Sequence, residues 1–172
     1  MPRLTRTRPM LAMAAVMMLS ACLGGAPEAT GTRDASVPMS SLAAFDAKAF
    51  AGRWYEVETY LPAGASCVIG AVTFSPQKSG DMTVTEGPCA DGAPQRGFAR
   101  RIGPGRFDFQ GRELWVLWVD QEYEVAVLAT PEGRAHILSR RLEIRDDKRA
   151  AAREILAWNG FDIARLSPAR RR

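Results

Sequence analysis

Between residues 53 and 140 the chain repeats one pattern eight times: a short run rich in Val, Ile, Thr and aromatics, then a turn. The runs are 53–61, 67–75, 81–88, 95–102, 105–110, 113–119, 123–129 and 134–140. Explicit turn chemistry separates them, as in Pro62-Ala63-Gly64, Ser79-Gly80-Asp81, Gly103-Pro104-Gly105, Gln110-Gly111-Arg112 and Pro131-Glu132-Gly133. Connections this short suit antiparallel neighbours, because a parallel pair needs a crossover of a dozen residues or more. The expected fold class is therefore all-β, an eight-stranded antiparallel up-and-down β-barrel, since closure removes the two edges of an open meander. The segment 95–110, polar and glycine-rich, carries the weakest pattern.

From Asp146 the period changes. Ala151, Ile155 and Trp158 recur at i, i+4 and i+7, which predicts one amphipathic α-helix packed outside the barrel. Asp146 and Asp147 suit its start, and Asn159-Gly160 its stop. Gly160 to Leu166 reads as a short extended piece. In the first strand Trp54, Glu56, Glu58 and Tyr60 share one parity, while Tyr55, Val57, Thr59 and Leu61 share the other. Alternation alone does not say which set faces inward.

The N-terminus has its own logic. Arg3, Arg6 and Arg8 precede an apolar run from Pro9 to Cys22. That run is shorter than the roughly 20 residues a membrane helix needs, and it fits an export signal. Leu19-Ser20-Ala21-Cys22 resembles the lipobox of bacterial lipoproteins, which implies acylation of Cys22 and a lasting membrane anchor. Leu23 follows the cysteine, not the aspartate of the inner-membrane retention rule, so outer-membrane attachment facing the periplasm is expected. The domains are then a signal at 1–21, a lipidated flexible tether at 22–41 and a folded domain at 42–172. Three basic residues leave with the signal, so 20 of the 23 Lys and Arg remain against 19 acidic residues. Near-neutrality gives no case for nucleic acid as a partner. Arg170, Arg171 and Arg172 form a terminal basic tip, either solvated or touching headgroups.

Two cysteines remain, Cys67 and Cys89. Each lies eleven residues from Lys78, the centre expected for the hairpin joining the second and third strands. Symmetric positions face each other across an antiparallel ladder, so a disulfide between them is expected in an oxidising compartment.

Three stretches resemble the lipocalins, and among them the bacterial outer-membrane lipoprotein lipocalins. "FDAKAFAGRWYEV" (45–57) carries Gly-x-Trp at Gly52 and Trp54. "LWVLWVDQEYEVAVLATP" (114–131) carries Asp120 and Tyr123 at its turn. "AHILSRRLEI" (135–144) carries Arg140. The resemblance spans roughly residues 43–166. It implies a barrel closed at one end by Trp54, with Arg140 across the indole as a cation–π partner, and an internal cavity for a small molecule. Loops 62–66, 89–94, 110–112 and 130–133 share the open end. His136 occupies a position where relatives carry a large aromatic facing the cavity.

The leading functional expectation is a membrane-anchored binder of a small hydrophobic ligand, a fatty acid or lysophospholipid, serving storage, transport or envelope maintenance. Ligand-lining residues are expected at Glu56, Glu58, Tyr60, Val125, Val127, His136 and Leu138. For strand 113–119 both parities stay open, because Trp115/Leu117 and Val116/Trp118 are equally apolar. No cofactor or metal is expected: His136 stands without a second His or a nearby Cys. An enzyme is not expected either, with one histidine and no Gly-x-Ser-x-Gly elbow. The alternatives are a structural envelope lipoprotein with a collapsed cavity or, further off, a lipocalin-fold enzyme using Glu56 and Glu58 as paired acids.

Overall fold

In the computed structural model the described residues are 31–60, 70–87 and 93–169. The strands are β1 (Gly52–Thr59), β2 (Ala71–Pro76), β3 (Met82–Glu86), β4 (Gln95–Gly103), β5 (Arg106–Phe109), β6 (Arg112–Val119), β7 (Val125–Ala129), β8 (Ala135–Ser139) and a two-residue β9 (Ser167–Pro168). Each of β1 to β8 pairs antiparallel with its sequence neighbour, and β1 pairs with both β2 and β8. This is a closed eight-stranded barrel. Past Tyr55, where the described β1–β2 pairing ends, β9 pairs with Glu58 and Thr59.

The β2–β3 ladder sets Phe74 opposite Val84 and Thr73 opposite Thr85. It is therefore centred on Ser79, one residue beyond the expected centre. The reason is a three-residue turn, in which the Gln77 N–H donates to Asp81 O and the Gly80 N–H to Gln77 O. Cys67 and Cys89 lie outside the described residues, as does Cys22.

Two α-helices and a 3-10 turn at Ile163–Arg165 accompany the strands among the described residues. A one-turn helix, α1 (Ala47–Phe50), is capped by the Asp46 carboxylate, which accepts from the Lys48 and Ala49 N–H groups. The long helix α2 (Asp146–Trp158) packs across β7 and β6. Its buried stripe differs from the expected one. Ala152 and Leu156 face the sheet, while Trp158 is 66% exposed. The same face carries Arg149 and Arg153, which a hydrophobicity pattern reads as outward but which reach a buried carboxylate. No side chain caps the start of α2; Arg145 holds the N-cap position and pairs with Asp147. At its end the Phe161 N–H donates to Leu156 O and the Gly160 N–H to Ala157 O. Gly160 sits at φ +84, a left-handed stop that favours glycine.

Two apolar cores result. One fills the lower barrel, with Phe50, Trp54, Phe74, Met82, Phe107 and Val116. The other lies between sheet and helix, with Val57, Tyr60, Val125, Val127, Ile137 and Leu156. Because β7 serves both, all five of its residues are buried, and its sequence VAVLA shows no alternation.

Residues 31–41, expected within a flexible tether, lie against the barrel. The Thr32 hydroxyl donates to Gly133 O, the Asp34 N–H donates to Gly160 O, and Asp162 N–H donates to Thr32 O. Further along, the Ser40 N–H donates to Asn159 Oδ1 and Leu42 N–H to Val116 O. The sequence shows no apolar period here because the strap is held mainly by backbone and polar hydrogen bonds, with Arg33 over Phe161.

Candidate functional site

At the closed end, Trp54 is fully buried and stacks on Phe50 with ring centroids 4.8 Å apart; its indole N–H donates to Phe50 O. The Arg140 guanidinium lies 3.8 Å from the Trp54 ring centroid. It also donates to the carbonyls of Ala49, Phe50, Ala51, Arg53 and Tyr123 at 2.8–3.2 Å. These include carbonyls left open by the one-turn helix, so one cation both covers the indole and caps α1. Burial pushes the Arg140 pKa down from its ordinary value. Gly52 has φ +101, and a Cβ there would stand 3.2 Å from Arg140 Nη1.

The β6–β7 turn closes the same end. Asp120 accepts from the Glu124 and Val125 N–H groups and from Lys148 of α2. Burial acts to raise the Asp120 pKa, but these hydrogen bonds outweigh it and hold the group below its usual value. Tyr123, at φ 54, turns its hydroxyl to the Asp46 N–H.

Above the aromatic floor lies a cavity of about 220 Å³. Its apolar wall comprises Val72, Phe74, Val84, Leu114, Leu128 and Leu138. Polar groups also line it: Glu56 and Glu86, paired with the apolar-wall residues Leu138 and Val72, and Gln95, Arg112, Glu113, Thr130, Arg134 and His136 toward the rim. Gln110, Thr130 and Arg134 belong to the β5–β6 and β7–β8 connections, which identifies this rim as the open end. Glu56, 2% exposed, is hydrogen-bonded to His136 Nδ1, which also lies 3.2 Å from Thr59 Oγ1. Glu86 makes no hydrogen bond or ion pair within the described residues. Burial, reinforced by the Glu56 charge and opposed by His136 and Arg112, raises its pKa.

Of the residues expected to line the cavity, Glu56, His136 and Leu138 do so; Glu58, Tyr60, Val125 and Val127 do not. A bulge in β1 is the cause for the first strand. Glu56 pairs with Leu138 and Glu58 with Ile137, so Val57 is the extra residue and parity inverts after it. Glu58, 1% exposed, faces α2, where Arg149 Nη1 reaches it at 2.5 Å and Arg153 Nε at 2.8 Å. Glu56 and Glu58 thus stand on opposite faces and form no carboxylate pair. Tyr60 also points out: it stacks on Phe161, and its hydroxyl donates to Asp162 O. Burial pushes its pKa up to about 12.

A second bulge, at Leu117, resolves β6. Val116 pairs with Leu128 and Val119 with Ala126, facing in; Trp115 pairs with Ala129 and Trp118 with Val127, facing out. Val125 and Val127 therefore lie under the helix, and Ala126 and Leu128 are the inward pair. Missing from the expected set were Val72, Phe74 and Val84. Their strict alternation in β2 and β3 was a readable signal.

This geometry has counterparts. A family model described as a lipocalin-like domain matches residues 101–171. The fold is lipocalin-like. A crystal structure of the major allergen Per a 4 from cockroaches superposes with a TM-score of 0.61 at 17% identity, covering 79% of this chain and 95% of that one. Apocrustacyanin C1 gives 0.55 at 17% identity, over 77% of this chain and 89% of its own. Apocrustacyanin C2 gives 0.54 at 16%, over 70% and 77%. At these identities the structures show the fold alone, and the domain match covers the C-terminal part of the chain. No curated protein sequence matches the chain.

Proposed function

We propose that the protein is a membrane-anchored lipocalin of the bacterial lipoprotein type that holds a small amphiphile in its barrel. The lipobox-like Cys22 is the expected anchor, and the periplasmic face of the outer membrane the expected site. The observation that supports the binding reading is the lining of the cavity: apolar side chains above a filled aromatic floor, with Arg112 and Arg134 at the open-end connections beside the carboxylates Glu56, Glu86 and Glu113. An alkyl chain gains about 25 cal/mol per Å² buried against Val72, Val84, Leu114 and Leu128. Arg112 and Arg134 at the rim have no ion-pair partner among the described residues, which suits an anionic head such as a fatty acid carboxylate or a lysophospholipid phosphate.

The cavity volume favours one competing reading. About 220 Å³ is below the 300–1,000 Å³ common for small-molecule pockets, as expected of a structural lipoprotein with a largely collapsed barrel. Titration with lysophospholipid, followed by tryptophan fluorescence, separates the two. Binding predicts a saturable response at micromolar concentration, lost in Leu114→Trp, which fills the cavity. No response from the parent protein, with native circular dichroism in both, would leave the structural role standing.

A further inference from the structure

We propose that the open rim of the barrel is a bilayer-docking face, so that the cavity mouth opens onto lipid headgroups. The inference rests on the anchored-lipocalin reading and adds its orientation. Its first support is where the strap begins. Gly31 O accepts from Arg165, and Thr32 bonds to Gly133 in the β7–β8 loop of the open rim. From there the strap descends to α1 at the closed end, so the chain that precedes it departs from the rim. Cys22 precedes Gly31 by nine residues. Nine residues reach at most about 30 Å, so an anchor at Cys22 keeps the rim within that distance of the membrane surface.

The second support is what the rim displays. Helix α2 starts beside the closed-end turn, through Lys148 and Asp120, and finishes beside the strap at Asp34 and Gly160. Its last residue, Trp158, is 66% exposed at that upper end. Arg112, Arg134 and Arg165, all exposed, belong to the same end. An exposed indole and three exposed arginines at one end match the interfacial layer of a bilayer, where tryptophan sits at headgroup depth and basic residues are drawn to anionic lipid. Glu113, Glu132 and Asp162 share the rim, so the docking is led by the tether and the indole more than by net charge. The arrangement lets an amphiphile pass between leaflet and cavity with its head held at the interface.

The test measures depth. The full acylated chain, extracted from its own membrane, is placed in phosphatidylethanolamine–phosphatidylglycerol vesicles carrying nitroxide lipid, with a fluorescent noncanonical residue replacing either Glu132 at the rim or Lys78 at the closed end. Quenching at position 132 should exceed that at 78 at least threefold, and Trp158→Ala should narrow the ratio. A parallel chain beginning at Leu23 and coupled to a lipid through its amino terminus gives the orientation whatever cells do to Cys22. Equal or reversed quenching in that conjugate overturns the inference. A native N-terminal peptide without acyl mass overturns the anchoring reading instead.

Discussion

At the level of single residues, the barrel's two ends ask for opposite things from charge. Arg140 is surrounded by carbonyls and an indole, and each of its three guanidinium nitrogens donates to at least one carbonyl. Glu86 is its converse, a carboxylate in the cavity wall with no hydrogen-bond partner among the described residues. Its raised pKa makes the folded protein bind more protons than the unfolded chain once the pH exceeds the ordinary carboxylate value. Stability is then lost as pH rises through that window. Glu86→Gln should leave the melting temperature unchanged at about pH 4 and raise it at about pH 7. A lower melting temperature for the variant at neutral pH would mean that the carboxylate is held by an attraction instead.

Among the elements, the decisive devices are the bulges in β1 and β6. Each inserts one residue opposite α2 and inverts the parity above it. In β1 this hands Glu58 to the helix, where two arginines, each about one-third exposed, meet a carboxylate that is 1% exposed. Breaking such a pair from the cationic side strands a buried charge and typically costs about 3–5 kcal/mol. Glu58→Gln leaves the arginines free to reach water and should cost less. Arg149→Ala/Arg153→Ala should therefore lower the urea midpoint more than Glu58→Gln does. The reverse order would show that the carboxylate is hydrated when its partners are removed.

On the scale of the whole molecule, the strap ties the open rim to α1 and covers the end of α2. A chain beginning at Gly31 should melt with the longer protein. One beginning at Leu42 loses the bonds to Gly133, Gly160 and Asn159 and uncovers Phe161, whose ring now lies beneath Arg33. At about 0.5–1.5 kcal/mol for each net hydrogen bond, a loss of roughly 2–4 kcal/mol is expected in chemical denaturation. Equal stability of the two would make residues 31–41 a passive tether.

Local signals determined much of this protein. Turn residues and β-prone runs placed all eight barrel strands, because hairpin geometry is written in the residues that make it. Gly52, Trp54, Asp120, Tyr123 and Arg140 were legible as a set through the resemblance of their three stretches to the lipocalins. The faces of β1, β6 and β7 were not. A bulge leaves no signature in a run such as WYEVET or LWVLWV, and a strand buried on both sides does not alternate. The strap was equally silent, being fixed by backbone hydrogen bonds that composition does not register. What lines the cavity was therefore decided by tertiary pairing: one extra residue in β1, Val57, sends Glu56 in and Glu58 out.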